Sequence, residues 1–470
     1  MSEAPSIRTL GQLKASGYHP RSVREEIRLN LLAKLRKGEP LFPGIHGYED
    51  TVIPAVENAL LAGQDVLLLG ERGQGKSRLI RSLVDLLDEW SPEIAGSEIH
   101  DDPVHPVSAY GRETVKKHGD DTELRWVHRT ERYGEKLATP DVSTADLVGD
   151  VDPMKVVAGR ALSDELTMHF GLLPRTNRGI FCINELPDLT EKLQVALFNV
   201  MEERDVQIKG YNVRLPLDVL VVASANPEDY TSRGRIVTPL KDRYAAQIRT
   251  HYPNNRGVEL EIVAQEAHVA GIEGVEIYVP DFMSRIVVET TFQARASPDV
   301  SQTSGVSVRV TIANYETLVA NALRRAMRHG DGQAVPRVSD LASLRSSIQG
   351  KLELEYAASN RGEDEIVDDL VRRAIKTVFD QTCEDAAAYG PIVEAFNQGW
   401  VVETTDMTPA REFVEGMDKI EGLREAAVKL AGGDSPPKVA SAVEFILEGL
   451  HLSNKINKTT NERGSSYGAS

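Results

Sequence analysis

The chain has 470 residues, of which 41% are hydrophobic and 27% are charged, as is typical of a globular protein with two or three domains. The formal net charge of −17 argues against broad nucleic-acid binding as the main activity. No apolar run approaches the roughly 18 residues of a membrane helix, and the first residues lack the apolar segment of a signal peptide. Two cysteines, Cys182 and Cys383, cannot build a disulfide framework or a zinc site, so we expect a cytoplasmic protein.

The first segment, residues 1–40, is polar and helical, with Ile27, Leu31 and Leu35 on one face of an amphipathic period. A second helix is predicted from about Thr51 to Leu61, and a short apolar strand follows it. We interpret residues 1–40 as an N-terminal helical segment.

The strand at Val66–Leu69 leads into a loop that fits the pattern G-x-x-x-x-G-K-[ST], and an amphipathic helix follows the loop. The glycines allow the backbone to bend so that successive N–H groups point at phosphate oxygens. Lys76 would reach the β- and γ-phosphates of ATP, and the Ser77 hydroxyl would bind Mg²⁺. The alternative, a glycine-rich turn with an idle lysine, does not explain the strand and helix on either side. The predicted phosphate-binding residues are Gly70, Glu71, Arg72, Gly73, Gln74, Gly75, Lys76 and Ser77.

Residues 90–178 are rich in charge, glycine and proline, and we interpret them as one further strand with inserted loops. Two continuous apolar runs after them, Gly179–Glu185 and Asp218–Ser224, are typical of buried parallel strands. Between these runs the sequence predicts a helix at Leu189–Glu203 and a β-hairpin that turns near Lys209. Strands and helices that alternate around a phosphate-binding loop predict an α/β core with a mostly parallel sheet.

Helical periods dominate the sequence beyond about Tyr252, and this change predicts a domain boundary. The AGGDSPPK sequence at 431–438 is interpreted as a linker, and the residues from about Lys455 as disordered. The predicted helices after the boundary are Val258–His268, Asp281–Ala294, Thr311–His329, Asp364–Asp380 and Ala440–Leu450. The predicted segments are 1–40, a core at 41–252, a helical lid at 253–336, a helical extension at 337–430, and a linker, short helix and disordered tail at 431–470.

Polar residues close the two apolar strands, where the ligands of parallel sheets bind. Glu185 fits a residue that polarises the attacking water in ATP hydrolysis. Asn184 stands where an aspartate is expected; its amide could hydrogen-bond a metal-bound water, but it lacks the negative charge that favours Mg²⁺. The alternative for this pair is a strand-end turn without catalytic part.

Three more residues are candidates for the same reaction. Asn226 could hydrogen-bond the γ-phosphate, although an Asn-Pro turn explains it equally well. Arg243 and Arg309 could neutralise charge on the transferred phosphoryl group, one from a neighbouring subunit and one from the same chain, but most single arginines are solvated surface residues. Ser307 also fits a plain helix N-cap. The eleven histidines show no metal-ligand spacing.

The motifs occur in the order and spacing of AAA+ ATPases, and the chain resembles most the magnesium-chelatase ATPase subunit and the MoxR-like group. The resemblance covers about residues 42–329 and rests on GERGQGKS, GIFCINE preceded by GLLPRTNRG, ASANPEDY, LKDRY and SGVSVR. It implies a P-loop AAA+ core with an all-helical lid and a helical C-terminal region. It also implies a helix-2 insertion that includes STADLVGDVDPMK and a pre-sensor hairpin at VQIKGYNVRLP.

The resemblance also implies roles for single residues. Asn184 and Glu185 occupy the Walker B end, Asn226 the place of sensor 1, and Arg309 that of sensor 2. Arg243 occupies the place of the arginine finger that a neighbouring subunit receives, with Arg233 and Arg235 as rivals for that role. ATP and Mg²⁺ are the implied cofactors, and Ser77 with Asn184 the implied metal residues.

The family implies a homo-oligomeric ring, expected to be a hexamer, and a partner with a von Willebrand factor A domain. A chaperone-like task is favoured over insertion of metal into a tetrapyrrole, because no segment specifies a porphyrin site. The departure from the family is Asn184, which leaves two readings open: a motor that hydrolyses ATP, or a scaffold that ATP assembles without appreciable hydrolysis. If the scaffold hypothesis holds, Asn184→Asp is expected from sequence alone to raise the rate, because it restores the charge partner of the metal.

Overall fold

The computed structural model describes residues 3–152, 165–207, 214–226, 234–301, 305–354, 361–383, 389–405, 408–461 and 464–469. The chain divides into two compact units, Met1–His251 and Tyr252–Ser470, and the sequence predicted a boundary at about Tyr252. No helix in the described part of the chain combines the length and the apolar character needed to cross a membrane.

The first unit combines helices with a parallel sheet. Its described helices are α1 (Leu10–Ala15), α2 (Val23–Lys37), α3 (Val52–Leu61), α4 (Lys76–Ser82), α5 (Ala109–His118), α6 (Thr144–Leu147), α7 (Leu172–Arg175), α8 (Glu191–Glu203) and α9 (Thr238–Arg243). Its described strands are β1 (Val66–Leu69), β2 (Trp90–Ile94), β3 (Leu124–His128), β4 (Tyr133–Leu137), β5 (Gly149–Val151), β6 (Met168–Phe170), β7 (Gly179–Asn184), β8 (Asp205–Gln207), β9 (Arg214–Pro216), β10 (Val219–Ala225) and β11 (Ala246–Arg249).

The main sheet has five parallel strands in the order β11-β1-β10-β7-β4. Its central strands are almost entirely apolar, because both faces of the sheet are buried. Val66 and Leu68 of β1 belong to a core with α2, α3 and α4, whereas Leu67 between them belongs to a second core with α8 and α9. The predicted α/β core with a parallel sheet is therefore confirmed.

Helix α2 is fixed both by its own caps and by a buried ion pair. The Ser22 side chain accepts a hydrogen bond from the Glu25 N–H at the start of the helix, and Gly38, at φ +67°, ends it in the left-handed region. Glu26 on this helix accepts two hydrogen bonds, of 2.8 and 2.7 Å, from the guanidinium of Arg132, which is 2% exposed. The predicted N-terminal helical segment thus packs onto the first unit.

The charge-rich region at 90–178 belongs to the first unit and adds one strand, β4, to the edge of the main sheet. It also contains two antiparallel pairs, β2 with β3 and β5 with β6, which the sequence did not predict. Residues 153–164 of the predicted helix-2 insertion lie outside the described residues. The antiparallel pairing of the predicted hairpin is confirmed by β8 and β9, and its turn near Lys209 lies outside the described residues.

The second unit is mainly helical. Its described helices are α10 (Arg256–Glu266), α11 (Asp281–Ala296), α12 (Val308–His329), α13 (Arg345–Ile348), α14 (Glu363–Thr382), α15 (Gly390–Asn397), α16 (Ala410–Glu415), α17 (Leu423–Ala431) and α18 (Pro436–Leu452). Its described strands are β12 (Glu276–Ile277), β13 (Gln333–Ala334), β14 (Val402–Thr404), β15 (Asn457–Asn461) and β16 (Gly464–Gly468).

One hydrophobic core runs through this unit, from Phe282 on α11 to Tyr467 on β16. Helix α18 is its centre, because every residue from Val439 to Leu450 is buried, as expected of a helix that is apolar on most of its surface. The predicted lid, extension and final helix therefore share one core.

Two predictions for the C-terminal region are wrong. The AGGDSPPK sequence is no domain linker, because α17 ends at Ala431 and α18 begins at Pro436, so that it connects two packed helices. The tail is not disordered, because β15 and β16 pair as an antiparallel hairpin and β14 extends the sheet. Ile456 and Tyr467, which are 1% and 2% exposed, anchor these polar strands to the core.

Candidate functional site

The loop of residues 70–77 joins β1 to α4 at the carboxyl end of the parallel sheet. Gly73 and Gly75 have φ values of +75° and +74°, which only glycine adopts at low cost. Gly75 stands at the N-cap of α4, and no side chain caps that end of the helix. The loop therefore has the backbone form that a phosphate-binding loop requires.

The Lys76 side chain is 7% exposed and folds over the loop. Its ammonium group donates hydrogen bonds to the carbonyl oxygens of Gly70 and, at 2.8 Å, of Glu71. Ser77 follows in the first turn of α4 and is exposed. A cation and a hydroxyl thus lie next to each other at the loop, as phosphate and Mg²⁺ binding require.

The loop is supported from below by side chains that the sequence analysis did not select. Thr250, just after β11, donates a hydrogen bond of 2.6 Å from its hydroxyl to Oε1 of Gln74. A Cβ atom on Gly70 would lie 1.9 Å from Thr250 Oγ1 and 2.2 Å from Gln74 Oε1, so the first glycine is required for packing. The Tyr48 hydroxyl lies 2.6 Å from the Gln74 carbonyl oxygen, and burial raises the pKa of Tyr48 to about 12.

Asn184 and Glu185 lie at the carboxyl end of β7, as predicted from the apolar run before them. Glu185 has φ +56° and ψ +49°, a left-handed conformation that is costly for a residue with a side chain. Its backbone N–H donates to the Ser224 hydroxyl at 3.2 Å, which ties this turn to β10. The left-handed conformation of Glu185 and its hydrogen bond to Ser224 together fix the direction in which the chain leaves β7.

The Asn184 amide is 8% exposed and contacts side chains of both neighbouring strands. Its Nδ2 donates to Oε1 of Glu135 on β4 at 2.5 Å, and its Oδ1 accepts from the Ser224 hydroxyl on β10 at 3.1 Å. The predicted metal residue is thus held at both ends by the protein.

Glu135 is a further residue of the site that sequence reasoning missed. Its carboxylate accepts hydrogen bonds of 2.8 and 2.9 Å from Arg81 on α4 and one of 3.0 Å from the Tyr133 hydroxyl. The hydrogen bond from Arg81 is the main cause that lowers the pKa of Glu135. Nothing in the sequence YGEKL marks this glutamate, because its partners are 49 and 54 residues distant along the chain.

Asn226 directly follows β10, the strand that lies between β1 and β7 in the sheet. It is fully buried, and the Gly70 N–H donates to the carbonyl oxygen of the preceding Ala225 at 3.1 Å. The fold therefore brings Asn226 to the same edge as the loop and Glu185. Pro227, on which the turn alternative depends, lies outside the described residues.

The predicted arginines stand on elements other than the loop and the ends of β7 and β10. Arg243 on α9 forms an ion pair with Glu202 on α8, and its guanidinium lies 5.2 Å from the centre of the Phe198 ring. Arg235 is exposed, and Arg233 lies outside the described residues. Arg309 begins α12 in the second unit and is exposed; its N–H donates to the Ser307 hydroxyl at 3.1 Å, so Ser307 is a helix N-cap.

The residues of the loop fit a nucleotide with Mg²⁺. Left-handed glycines, an ammonium group and an adjacent hydroxyl are the donors that a polyphosphate and its metal ion need. Throughout the described ranges no group of three or more His, Cys, Asp or Glu side chains could hold a metal ion. Within the loop, the Ser77 hydroxyl is the group that would contribute to a bound Mg²⁺.

A parallel sheet with this loop after β1, and with polar residues after the two strands β10 and β7, defines a P-loop nucleotide-binding protein. The family model described as the MCM P-loop domain matches residues 144–238. The magnesium-chelatase subunit ChlI of Nostoc sp. is 28% identical over 232 residues, which are 48% of this chain and 58% of that protein. The magnesium-chelatase 38 kDa subunit of Rhodobacter capsulatus is 30% identical over 246 residues, 50% of this chain and 63% of that protein.

The chain thus spans about three fifths of the length of these curated relatives. A chain in a solved structure of the complex between subunits BchI and BchD of magnesium chelatase is 20% identical, with a TM-score of 0.36, over 70% of this chain and 98% of that one. Over the matched part the chain is similar to magnesium-chelatase subunits and to a P-loop domain, which supports the AAA+ resemblance that its motifs indicated.

Proposed function

We propose that this chain is a ring-forming motor that binds ATP with Mg²⁺ at residues 70–77, hydrolyses it, and uses the cycle to remodel or mature a partner protein. The observation that carries the proposal is the position of Glu185 and the loop at the carboxyl ends of strands of one sheet, with β10 between them. Phosphate binding and a carboxylate for the attacking water meet at one edge in this arrangement.

The roles proposed for the single residues follow from this placement. Lys76 and the loop N–H groups would bind the phosphates, and Mg²⁺ held by Ser77 would neutralise phosphate charge. Glu185 would accept the proton of the attacking water. Asn226 would hold that water in line. The left-handed turn at Glu185 is consistent with a functional constraint, because strained residues persist where the surrounding structure fixes them.

Arg243 and Arg309 are proposed to act between subunits and through the lid, respectively. The Arg243 side chain is 41% exposed, as a residue that reaches a neighbouring subunit must be. The ion pair with Glu202 would hold the guanidinium in one orientation and leave it accessible to a neighbouring subunit. A homo-hexameric ring is the proposed assembly, because an ATPase of this kind completes its site with an arginine from the next subunit.

The partner is proposed to contain a von Willebrand factor A domain, and the setting to be the cytoplasm. The relatives are named as magnesium-chelatase subunits, and such a partner fits that group. Co-purification from native cells tests this part directly. Recovery of a protein with an A domain is the expected result, and its absence from ATP-stabilised rings would refute the proposed partner.

A second function has one observation in its favour. Residue 184 at the end of β7 is an asparagine, so no carboxylate stands at the position expected to hold the metal. Its amide already forms hydrogen bonds with Glu135 and Ser224. ATP could then assemble the ring without appreciable hydrolysis, which would make the protein a nucleotide-gated scaffold.

Release of phosphate in the presence of Mg²⁺ separates the two functions. The parent, Lys76→Ala and Glu185→Gln are compared, with Lys37→Ala as a control because Lys37 forms only a 3.6 Å contact with Glu39 and both are exposed. The motor predicts turnover in the parent and in the control, and a loss of at least about tenfold in the other two. A parent as inactive as Lys76→Ala that still assembles with ATP would refute the motor and support the scaffold.

A further inference from the structure

The side chains of Glu135 and Asn184 leave the same face of the main sheet. Strands β4 and β7 run parallel, with Glu135 opposite Cys182 and Leu137 opposite Asn184. Residues two apart on a strand share a face, so Glu135 and Asn184 point to the side on which α4 lies. The carboxylate and the amide meet there at 2.5 Å.

Charged and polar donors occupy the acceptor positions of the Glu135 carboxylate. Arg81 donates two hydrogen bonds from α4, the helix that begins with Lys76, and Tyr133 and Asn184 donate one each. An ionised carboxylate offers about four acceptor positions, so this set matches its capacity. The Glu135 side chain is 21% exposed and that of Arg81 is 64% exposed. The negative charge is therefore held inside the site while its counter-ion reaches solvent.

These contacts also fix the orientation of the Asn184 amide. An ionised carboxylate can only accept, so the Nδ2 group must face Glu135 and Oδ1 must face the Ser224 hydroxyl. Ser224 in turn accepts from the backbone N–H of Glu185. A continuous chain of hydrogen bonds thus leads from α4 through Glu135, Asn184 and Ser224 to the turn that carries Glu185.

We propose that Glu135 supplies the negative charge that Asn184 lacks, so that the two residues act as one acidic pair divided between β4 and β7. Within it, Glu135 is a positioning residue that acts through the amide. A carboxylate that accepts from Nδ2 polarises the amide and makes Oδ1 a stronger acceptor. This inference rests on the proposed binding of ATP and Mg²⁺ at the loop.

The pair changes the expected effect of Asn184→Asp. From sequence alone this substitution restores a missing charge and raises the rate. In the structure it would remove the only donor between positions 135 and 184 and place two carboxylates in contact, which disfavours both being ionised. We therefore expect Asn184→Asp to impair the site as long as Glu135 is present.

An exchange of the charge between the two strands tests the proposal. Glu135→Gln leaves no carboxylate in the pair, Asn184→Asp leaves two, and the double variant leaves one, now on β7. The readout is the affinity for a fluorescent ATP analogue with Mg²⁺ and with EDTA, beside Mg²⁺-dependent phosphate release. Each single variant should lose about tenfold of the affinity that Mg²⁺ adds, as expected for a hydrogen bond to a charged group. The double variant should return to within about threefold of the parent, a non-additive result that reports direct coupling.

Tyr133→Phe is the matched control, because it removes one hydrogen bond to the same carboxylate and leaves its charge. It should lose less than about threefold, the effect of one neutral hydrogen bond. An equal loss in Tyr133→Phe and Glu135→Gln would show that packing and not charge is responsible. A double variant as weak as the sum of the single variants would also overturn the proposal.

The failure of this inference differs from the failure of the proposed function. If the parent binds the analogue and Lys76→Ala does not, but Glu135→Gln binds it with Mg²⁺ as the parent does, only the acidic pair is refuted. If the parent and Lys76→Ala both fail to bind it, the proposed function is refuted and the acidic pair with it.

Discussion

Asn184 donates its amide hydrogen bond to a carboxylate, Glu135, that lies on the neighbouring strand of the sheet. From sequence alone, the asparagine at the end of β7 indicates that the negative charge expected at this position is missing. In the fold the charge is one strand away and is fixed by Arg81. Under the proposed acidic pair, the affinity for ATP with Mg²⁺ would depend on both residues together, and neither of them would predict it alone.

Gly70→Ala should damage both the loop and its ability to bind nucleotide. The added Cβ would lie 1.9 Å from Thr250 Oγ1 and 2.2 Å from Gln74 Oε1, so the loop or the hydrogen bond between these two side chains must shift. We expect a loss of about 1–3 kcal/mol in the free energy of unfolding, as for other overpacked sites. We also expect weaker binding of ATP, measured by titration.

Gly271→Ala is the control for this substitution, because nothing lies within 4 Å of its added Cβ. It should leave the free energy of unfolding within about 0.5 kcal/mol of the parent. Equal stability of the two variants would show that Gly70 is not held by Thr250 and Gln74.

Glu26→Ala should strongly destabilise the first unit. It would leave the guanidinium of Arg132, 2% exposed, without its carboxylate partner on α2. Removal of one partner of a buried ion pair costs about 3–5 kcal/mol, and denaturant unfolding measures this loss. Lys14→Ala removes the exposed pair between Lys14 and Asp120, whose side chains are 53% and 69% exposed, and should cost less than about 1 kcal/mol. Similar losses in both variants would contradict this account of α2.

Asp218→Asn should change how stability depends on pH. Burial raises the pKa of the Asp218 carboxyl, so the folded chain holds this proton to a higher pH than the unfolded chain. The stability that the proton contributes is complete below the unfolded pKa of about 3.9 and is lost as the pH rises through the folded pKa. The side chain of the Asp218→Asn variant does not ionise, so its contribution to stability does not fall as the pH rises. Its amide oxygen can still accept a hydrogen bond from the Val23 N–H, which lies 2.6 Å from the carboxylate of the parent.

Urea unfolding at several pH values between about 4 and 7 measures the effect. The parent should lose stability relative to Asp218→Asn as the pH rises, by at most about 1.4 kcal/mol per pH unit within the window. A difference that is constant with pH, or that grows in favour of the parent, would contradict the raised pKa.

Tyr467→Ala tests whether the C-terminal hairpin belongs to the core of the second unit. The Tyr467 side chain is 2% exposed, and its hydroxyl hydrogen-bonds the carboxylate of Glu448 on α18. We expect a loss of about 3–5 kcal/mol in the free energy of unfolding, as for other buried aromatic residues. Ser466→Ala, on the same strand but only half-buried, should cost less than about 1 kcal/mol. Equal, small losses would support the disordered tail that the sequence predicted.

The sequence predicts those parts of the fold that depend on neighbours along the chain. The run Gly179–Glu185 predicts a buried strand because both faces of a parallel sheet are covered, and the structure places β7 at Gly179–Asn184. The glycine spacing of the loop predicts a bent backbone, and Gly73 and Gly75 there adopt left-handed φ values. Helical periods locate α11 and α12 to within a few residues, because each buries one face.

The contacts that depend on strand order could not be predicted in the same way. Glu135 meets Asn184 only because β4 lies beside β7, and no local pattern specifies this neighbour. The support of the loop by Thr250 likewise requires β11 to lie beside β1. The C-terminal hairpin was missed for a related reason: its sequence is polar, and Tyr467 alone ties β16 to a core made by other segments.

The central claim is that residues 70–77 bind ATP, and calorimetric titration of the full chain with a slowly hydrolysed ATP analogue and Mg²⁺ tests it most directly. The parent should bind the analogue, and Lys76→Ala should bind it at least about tenfold more weakly, because the ammonium group inside the loop is lost. The control variant Lys37→Ala should bind as the parent does. Equal affinities of the parent and Lys76→Ala, or no binding by a folded parent, would contradict the account.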